Sequence, residues 1–266
     1  MEKKQVLDHG YCAFIESWGS DERIVEAARM STGKGFQGWG GPCDGPAHLF
    51  ATSAINNEAA QRLNEGCPKC KGSGQTVGDE KLIKYLWENK HGTPFEMAGM
   101  TVEIQAPIVV FREWHRHRTM SYNEMSARYS PLPDVNYFPS VERCMFVSGA
   151  NKQAGAVGGA EQLTHESALE WLAELAEVYE HAERVYQSGL RRGIPKEIAR
   201  LPVPVGRYSR MRASANLRNW LAFLTLRSDH VSSGRAAQWE IRQFANAVGD
   251  LIAEAFPRTW ALFAQP

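Results

Sequence analysis

The chain has 266 residues, with 30 basic and 30 acidic side chains that cancel to zero formal charge. Its length can bury a sizeable core, and 43% hydrophobic and 10% aromatic residues exclude a disordered or collagen-like chain. A mean hydropathy of −0.40 argues against a transmembrane protein, and the charge balance argues against a general polyanion binder.

At the N-terminus, MEKKQVLDHGY has no apolar signal core, and five cysteines in such a chain fit a reducing cytoplasm. Residues 5–16 read as a strand or hairpin turning at His9-Gly10. Ser20 and Asp21 suit the cap of a helix over 22–30, with Ile24, Val25 and Ala28 on one face. Composition then shifts. Residues 33–78 hold ten of the 23 glycines and Cys43, Cys67 and Cys70, and read as an insertion with its own organisation. A short helix follows at 79–90.

Alternation over 100–105 predicts a half-buried strand, and Pro107 opens a helix over 107–115. Residues 130–160 read as irregular. Leu163, Leu169, Leu172, Leu175, Tyr179, Ala182, Tyr186 and Leu190 predict a long amphipathic helix, stopped by Gly193 and Pro195. Further helices are predicted near 214–228, capped by Ser214, and over 236–256, ended by Pro257. The fold class is α+β: a mainly helical single domain with a modest central, mostly antiparallel sheet.

Residues 111–130, FREWHRHRTMSYNEMSARYS, concentrate the chemistry. Arg112, Arg116, Arg118 and Arg128 stand among hydroxyls and two carboxylates, Glu113 and Glu124. Arginine forks beside hydroxyls suit phosphate or another planar anion. The same residues also fit a helix end neutralised by its own arginines. From 191 to 227 nine basic residues face one acid, Glu197, so the neutral total conceals a local cationic region.

Arg116-His117-Arg118, seven residues and then Ser126 resemble the RHRx7S motif of the flavin-dependent thymidylate synthases. HGTPFE (91–96), EAARMS (26–31), PKEIARLPVP (195–204), NLRNWLAFLTLR (216–227) and AQWEIR (237–242) stand in that family's order. The resemblance implies methylation of deoxyuridine monophosphate (dUMP) to dTMP. Methylenetetrahydrofolate gives the carbon, NADPH is the reductant, and reduced FAD passes hydride to uracil without an enzyme nucleophile. It assigns Ser31, His91, Thr93, Glu96, Arg116, His117, Arg118, Asn216, Arg218 and Leu226 to the flavin. It assigns Glu113, Glu124, Ser126, Ala127, Arg128, Arg200 and Arg227 to dUMP, with Arg227 the catalytic cation. A homotetramer sharing its sites between subunits is also implied.

Three positions depart from the family: Glu113 where glutamine is common, Ala222 where a polar residue is frequent, and SDHVSSGRA (228–236) in place of a short turn with a histidine. Within the insertion, Cys67-Pro-Lys-Cys70 supplies a CxxC pair. Cys43 and His48 would complete a four-ligand structural zinc site; free thiols or a redox pair are the alternatives. Competing functions are a nucleic-acid-binding module built on the Arg/His cluster and the CxxC knuckle, and a cofactor-free nucleotide hydrolase with Glu124 as base. No nucleic-acid partner is expected from the neutral charge, and no membrane partner from the hydropathy.

Overall fold

The computed structural model describes residues 3–43, 70, 75–145, 163–231 and 237–264. Among these residues five strands form one antiparallel sheet in the order β1-β2-β3-β5-β4: β1 (Lys3–Val6), β2 (Gly10–Trp18), β3 (Gly99–Pro107), β4 (Ser121–Glu124) and β5 (Tyr208–Asn216). The first two make the expected hairpin, which turns through residues 7–9 with Leu7 at φ 59°. Strands β3 and β5 pair along their full length, from Gly99 against Asn216 to Pro107 against Tyr208.

Period-two alternation aims Met100, Val102 and Ile104 of β3, with Met211, Ala213 and Ala215 of β5, into the core. Two helices cover that face: α7 (Leu217–Arg227) and α8 (Trp239–Ala255), numbering helices in chain order. Trp220, Phe223, Phe244 and Ile252 are fully buried there. The Trp220 indole N–H donates to the carbonyl of Met100 at 2.9 Å, pinning α7 to β3. Burial of each such aromatic contributes about 1.5–3 kcal/mol.

The remaining helices are α1 (Asp21–Arg29), α2 (Glu80–Glu88), α3 (Ile108–Trp114), α4 (Val141–Met145), α5 (His165–Arg191), α6 (Lys196–Ala199) and α9 (Pro257–Phe263). The side chain of Ser20 caps α1, as expected. At α7 the cap is Asn216 rather than Ser214, because β5 continues to Asn216 and Ser214 pairs with Thr101 inside the sheet. Pro107 precedes the first turn of α3, and Pro257 opens α9 rather than ending the helical region. A short helix, α4, lies inside the stretch read as irregular.

Two carboxylates draw together the ends of the Gly/Cys-rich segment. Asp79 pairs with Arg29 and accepts from the Gln37 N–H at 2.8 Å, while Glu80 accepts from the Gly40 N–H and from Arg258. Pro42 bridges Gln75, and the Thr76 N–H donates to Gly41 at 2.8 Å, closing a neck. Among the described residues, no helix is long and apolar enough to cross a membrane.

Candidate active site

Helix α3 presents two different faces. On one, Arg112 and His115 line a cavity of about 560 Å³ together with Glu124, Ser126, Ala127, Arg200 and Ser209. Strand β4 places Glu124 at its end, paired with Met211 of β5. The turn that follows is tight: Ser126 Oγ accepts from the Arg128 N–H, and the carbonyl of Ser126 accepts from the N–H groups of Tyr129 and Ser130. Arg200 ends the four-residue α6 and reaches the same cavity. The wall also carries apolar side chains, including Phe111, Leu132, Leu201 and Val203. That mixture fits a nucleotide, whose base stacks on carbon while its phosphate meets cations and hydroxyls.

On the other face lie Glu113 and, just past the helix, His117. The Arg227 guanidinium sits between them, donating from Nη1 to Glu113 Oε2 at 2.9 Å and from Nε to His117 Nε2 at 3.1 Å. The three side chains come from α3, the turn after it and the end of α7. Burial, reinforced by the positive charge of Arg227, pushes the His117 imidazole down to about 4. Burial raises the Glu113 carboxyl above its ordinary value; Arg227 opposes that shift and Glu240 adds to it.

The turn carrying Arg116-His117-Arg118 is held from below by Tyr122 of β4. Its hydroxyl lies 2.6 Å from the carbonyl of His117 and 3.1 Å from that of Trp114. Burial pushes this phenol up to about 12, so it remains a donor at neutral pH. Trp114, fully buried, stacks on Phe223 with ring centroids 4.7 Å apart and ties α3 to α7.

A second cavity, of about 480 Å³, opens between α2 and α7. His91, Gly92, Arg218 and Ala222 line it, with Trp87, Phe95 and Leu221 as apolar walls. Arg218 pairs with Glu96. A Cβ at Gly92 would stand 2.8 Å from Arg218 Nε, so this glycine lets the guanidinium lie against the backbone.

The expected site residues therefore fall into three groups within one chain. Glu124, Ser126, Ala127 and Arg200 share the first cavity; Glu113, His117 and Arg227 make the cluster across α3; His91, Glu96 and Arg218 gather at the second cavity. Arg128 lies outside the first cavity and pairs with Glu197 at 3.2 Å. Asn216 Oδ1 caps α7 by accepting from the Asn219 N–H. Ser31 donates to the carbonyl of Ala28, Thr93 opens a 3-10 turn, and Leu226, expected to pack beside Arg218, is 57% exposed.

His230 lines neither cavity. It packs edge-on against Trp260 and lies 3.4 Å from the carbonyl of Asn246, tied to α8 and α9. Sequence reasoning gave Ser209 no role; its signal was the alternating run Tyr208–Asn216, which places it on the cavity side of β5. Cys43 and Cys70 are both buried and pack against each other, whereas His48 and Cys67 lie outside the described residues. Among the described residues no group of three metal-binding side chains converges.

Residues 13–258 match the family model described as thymidylate synthase complementing protein. The chain belongs to this family. A relative from Thermus thermophilus, named flavin-dependent thymidylate synthase, is 34% identical over 260 residues, covering 98% of this chain and 77% of the relative. One from Wolbachia pipientis wMel with the same name is 34% identical over 268 residues, covering 99% and 77%. Among solved structures, a UMP/dUMP methylase, PolB from Streptomyces cacaoi bound with 5-Br dUMP, superposes with a TM-score of 0.71 at 29% identity, covering 98% of this chain and 96% of that one. As a member of the thymidylate synthase complementing family, the chain is an enzyme of the methyltransferase class. The α+β expectation is borne out, with every strand pair among the described residues antiparallel. The nucleic-acid-module reading finds no support in these relationships.

Proposed function

We propose that the protein converts dUMP to dTMP, with methylenetetrahydrofolate as carbon donor, FAD as cofactor and NADPH as reductant, in the cytoplasm. The observation that carries this reading is the cavity uniting Glu124, Ser126, Ala127 and Arg200 in a chain of this family. The donor set fits a nucleoside monophosphate. Ser126, the Ala127 backbone and Arg200 hold the phosphate and sugar, Glu124 accepts from a sugar hydroxyl or base N–H, and Arg128 reaches the phosphate by leaving its surface pair with Glu197.

The second cavity fits a flavin dinucleotide by its chemistry: cationic and imidazole groups at the rim, aromatic and aliphatic walls within, and the Gly92 cradle. His91, Thr93, Glu96, Asn216, Arg218 and Leu226, together with Arg116, His117, Arg118 and Ser31, would hold it. When bound, the flavin supplies the hydride that adds to the uracil ring. Arg227 then presents a fixed cation to the negative charge left on that ring. Glu113 pairs with Arg227 in this cluster at 2.9 Å.

No enzyme thiolate is needed in this route. None of the described cysteines lines the first cavity; burial pushes the Cys12 thiol up to about 12 and raises that of Cys144.

Glu113 and Arg227 line none of the cavity that contains Arg200. In this reading the site is shared between copies in a homotetramer, the Arg227 cluster of one meeting the Arg200 cavity of another. The exposed apolar rim of that cavity, Leu201 at 75% and Val205 at 55%, suits contact with a second copy. Mixing the inactive variants Arg200→Ala and Arg227→Ala, with subunit exchange, should restore about a quarter of the sites. A mixture no more active than its parts refutes the shared site. For the reaction, bound flavin should bleach faster with NADPH when dUMP is present; protein that neither binds nor reduces flavin overturns the assignment.

The Gly/Cys-rich segment is read as an insertion into a single enzyme domain that spans 1–266. Cys43, His48, Cys67 and Cys70 would give it a structural zinc, supported by the joint burial of Cys43 and Cys70. Elemental analysis of chelator-free protein tests this; absence of zinc refutes it.

A further inference from the structure

Glu113 occupies a position where the family resemblance puts a substrate-holding residue, yet its geometry gives it another task. Its carboxylate is committed to Arg227 at 2.9 Å, and both side chains are mostly shielded, 26% and 21% exposed. A carboxylate left facing a phosphate dianion would repel it; one spent on a guanidinium does not. On its far side the guanidinium is held by His117 Nε2, 3.1 Å from Arg227 Nε. An arginine Nε always donates, so His117 Nε2 is the acceptor and the imidazole proton sits on Nδ1.

Two of the five guanidinium N–H groups are thus anchored, on different nitrogens and by residues from two points along the chain. Two anchors fix the plane of a guanidinium, whereas one leaves it free to swing about that bond. We propose that Glu113 is the positioning residue for Arg227, setting with neutral His117 the plane in which the guanidinium meets the uracil ring, and that it does not hold the nucleotide itself. This rests on the methylation reading given above.

The charged groups around Glu113 are Arg227 from α7 and Glu240 from α8, and Glu240 is itself paired to Arg143 from α4. With Arg143 compensating Glu240, Arg227 is the cation that Glu113 answers. Only the ionised carboxylate grips Arg227 strongly, so activity should fall on the acid side as Glu113 takes up a proton. That fall should come at a higher pH than an ordinary carboxylate would give, because burial favours the neutral acid here.

The test is a pair of variants, Glu113→Ala and Glu113→Gln, assayed in the flavin-loaded enzyme for kcat and KM across pH, with dUMP affinity measured separately by calorimetry. Glu113→Ala should lose about 100-fold in kcat, since the cation swings out of plane. Its dUMP affinity should stay within about threefold. Glu113→Gln, neutral like the protonated acid, should show the wild type's acid-side kcat at every pH and lack the acid limb. If Glu113→Ala instead loses dUMP affinity tenfold or more with kcat preserved, the residue holds substrate and the proposal is overturned. An acid limb unchanged in Glu113→Gln overturns it as well. Wild-type protein that makes no dTMP refutes the reaction instead; the calorimetric comparison still decides whether Glu113 touches the nucleotide.

Discussion

Arg227 donates from Nε to Nε2 of His117, and that one contact fixes the protonation state of the histidine in the motif. An imidazolium has no lone pair to offer, so the contact survives only while His117 is neutral. Burial and the adjacent cation enforce this, holding the imidazole at about 4 against its ordinary 6.5.

The sign of the resulting pH dependence follows by linkage. Between about 6.5 and 4 the unfolded chain binds a proton at His117 that the folded chain does not, so this residue's stabilisation is present above 6.5 and lost as pH falls toward 4. His117→Gln cannot titrate. The stability difference between wild type and variant, measured by urea unfolding, should therefore shrink from pH 7 to pH 4.5. A difference that stays constant across that range would contradict the neutral assignment.

Arg227→Ala removes the cation without touching the second cavity. Loss of one preorganised charge-stabilising group costs about 10²- to 10³-fold in rate. dTMP formation should fall by that order while flavin absorbance in the purified protein is largely kept. Loss of flavin with residual turnover per bound flavin unchanged would assign Arg227 to the cofactor instead.

Gly92→Ala probes the second cavity from its backbone side. The added methyl would meet Arg218 Nε at 2.8 Å and Cζ at 2.9 Å, and the long arginine gives way more readily than the backbone. The melting temperature should therefore barely move, while flavin affinity falls about tenfold, equivalent to ~1.4 kcal/mol. Fluorescence titration with FAD measures it. Wild-type affinity in the variant would place the flavin elsewhere.

Tyr122→Phe removes the hydroxyl beneath the Arg-His-Arg turn and leaves the His117 and Trp114 carbonyls without this donor. A stability loss of about 1 kcal/mol is expected. For a domain of this size that corresponds to roughly 2–4 °C in melting temperature. Calorimetry showing no shift would mean that the turn holds itself.

Helices were the most legible part of the chain. Repeated apolar spacing located α5, and Ser20 located the start of α1. Strands β4 and β5 were not legible, for two different reasons. Ser-Tyr-Asn-Glu is a four-residue edge strand with only one aromatic, so it has no alternation to read. Strand β5 alternates, but its inward residues at 213 and 215 are alanines and its outward ones include Arg210 and Arg212, so it lacks the β-branched and aromatic enrichment that marks a strand.

The site was legible residue by residue but not in its division. Motif spacing brings forward Glu113, Glu124, Ser126 and Arg227 together, and nothing in chain order reveals that α3 turns Arg112 and His115 one way and Glu113 the other. The pairing of Glu113 with Arg227 spans 114 positions, a separation that only the assembled core can close.

The neck formed by Asp79 and Glu80 has a further meaning for how this enzyme can change. Once the two ends of a loop are tied, the closure entropy is already spent, and each doubling of the loop beyond costs only about 0.6 kcal/mol. Chain added or removed past Pro42 and Gln75 is therefore nearly invisible to the sheet and to α7. That segment can be lengthened, shortened or recruited for new contacts while Asp79 and Glu80 keep the catalytic body indifferent to the exchange.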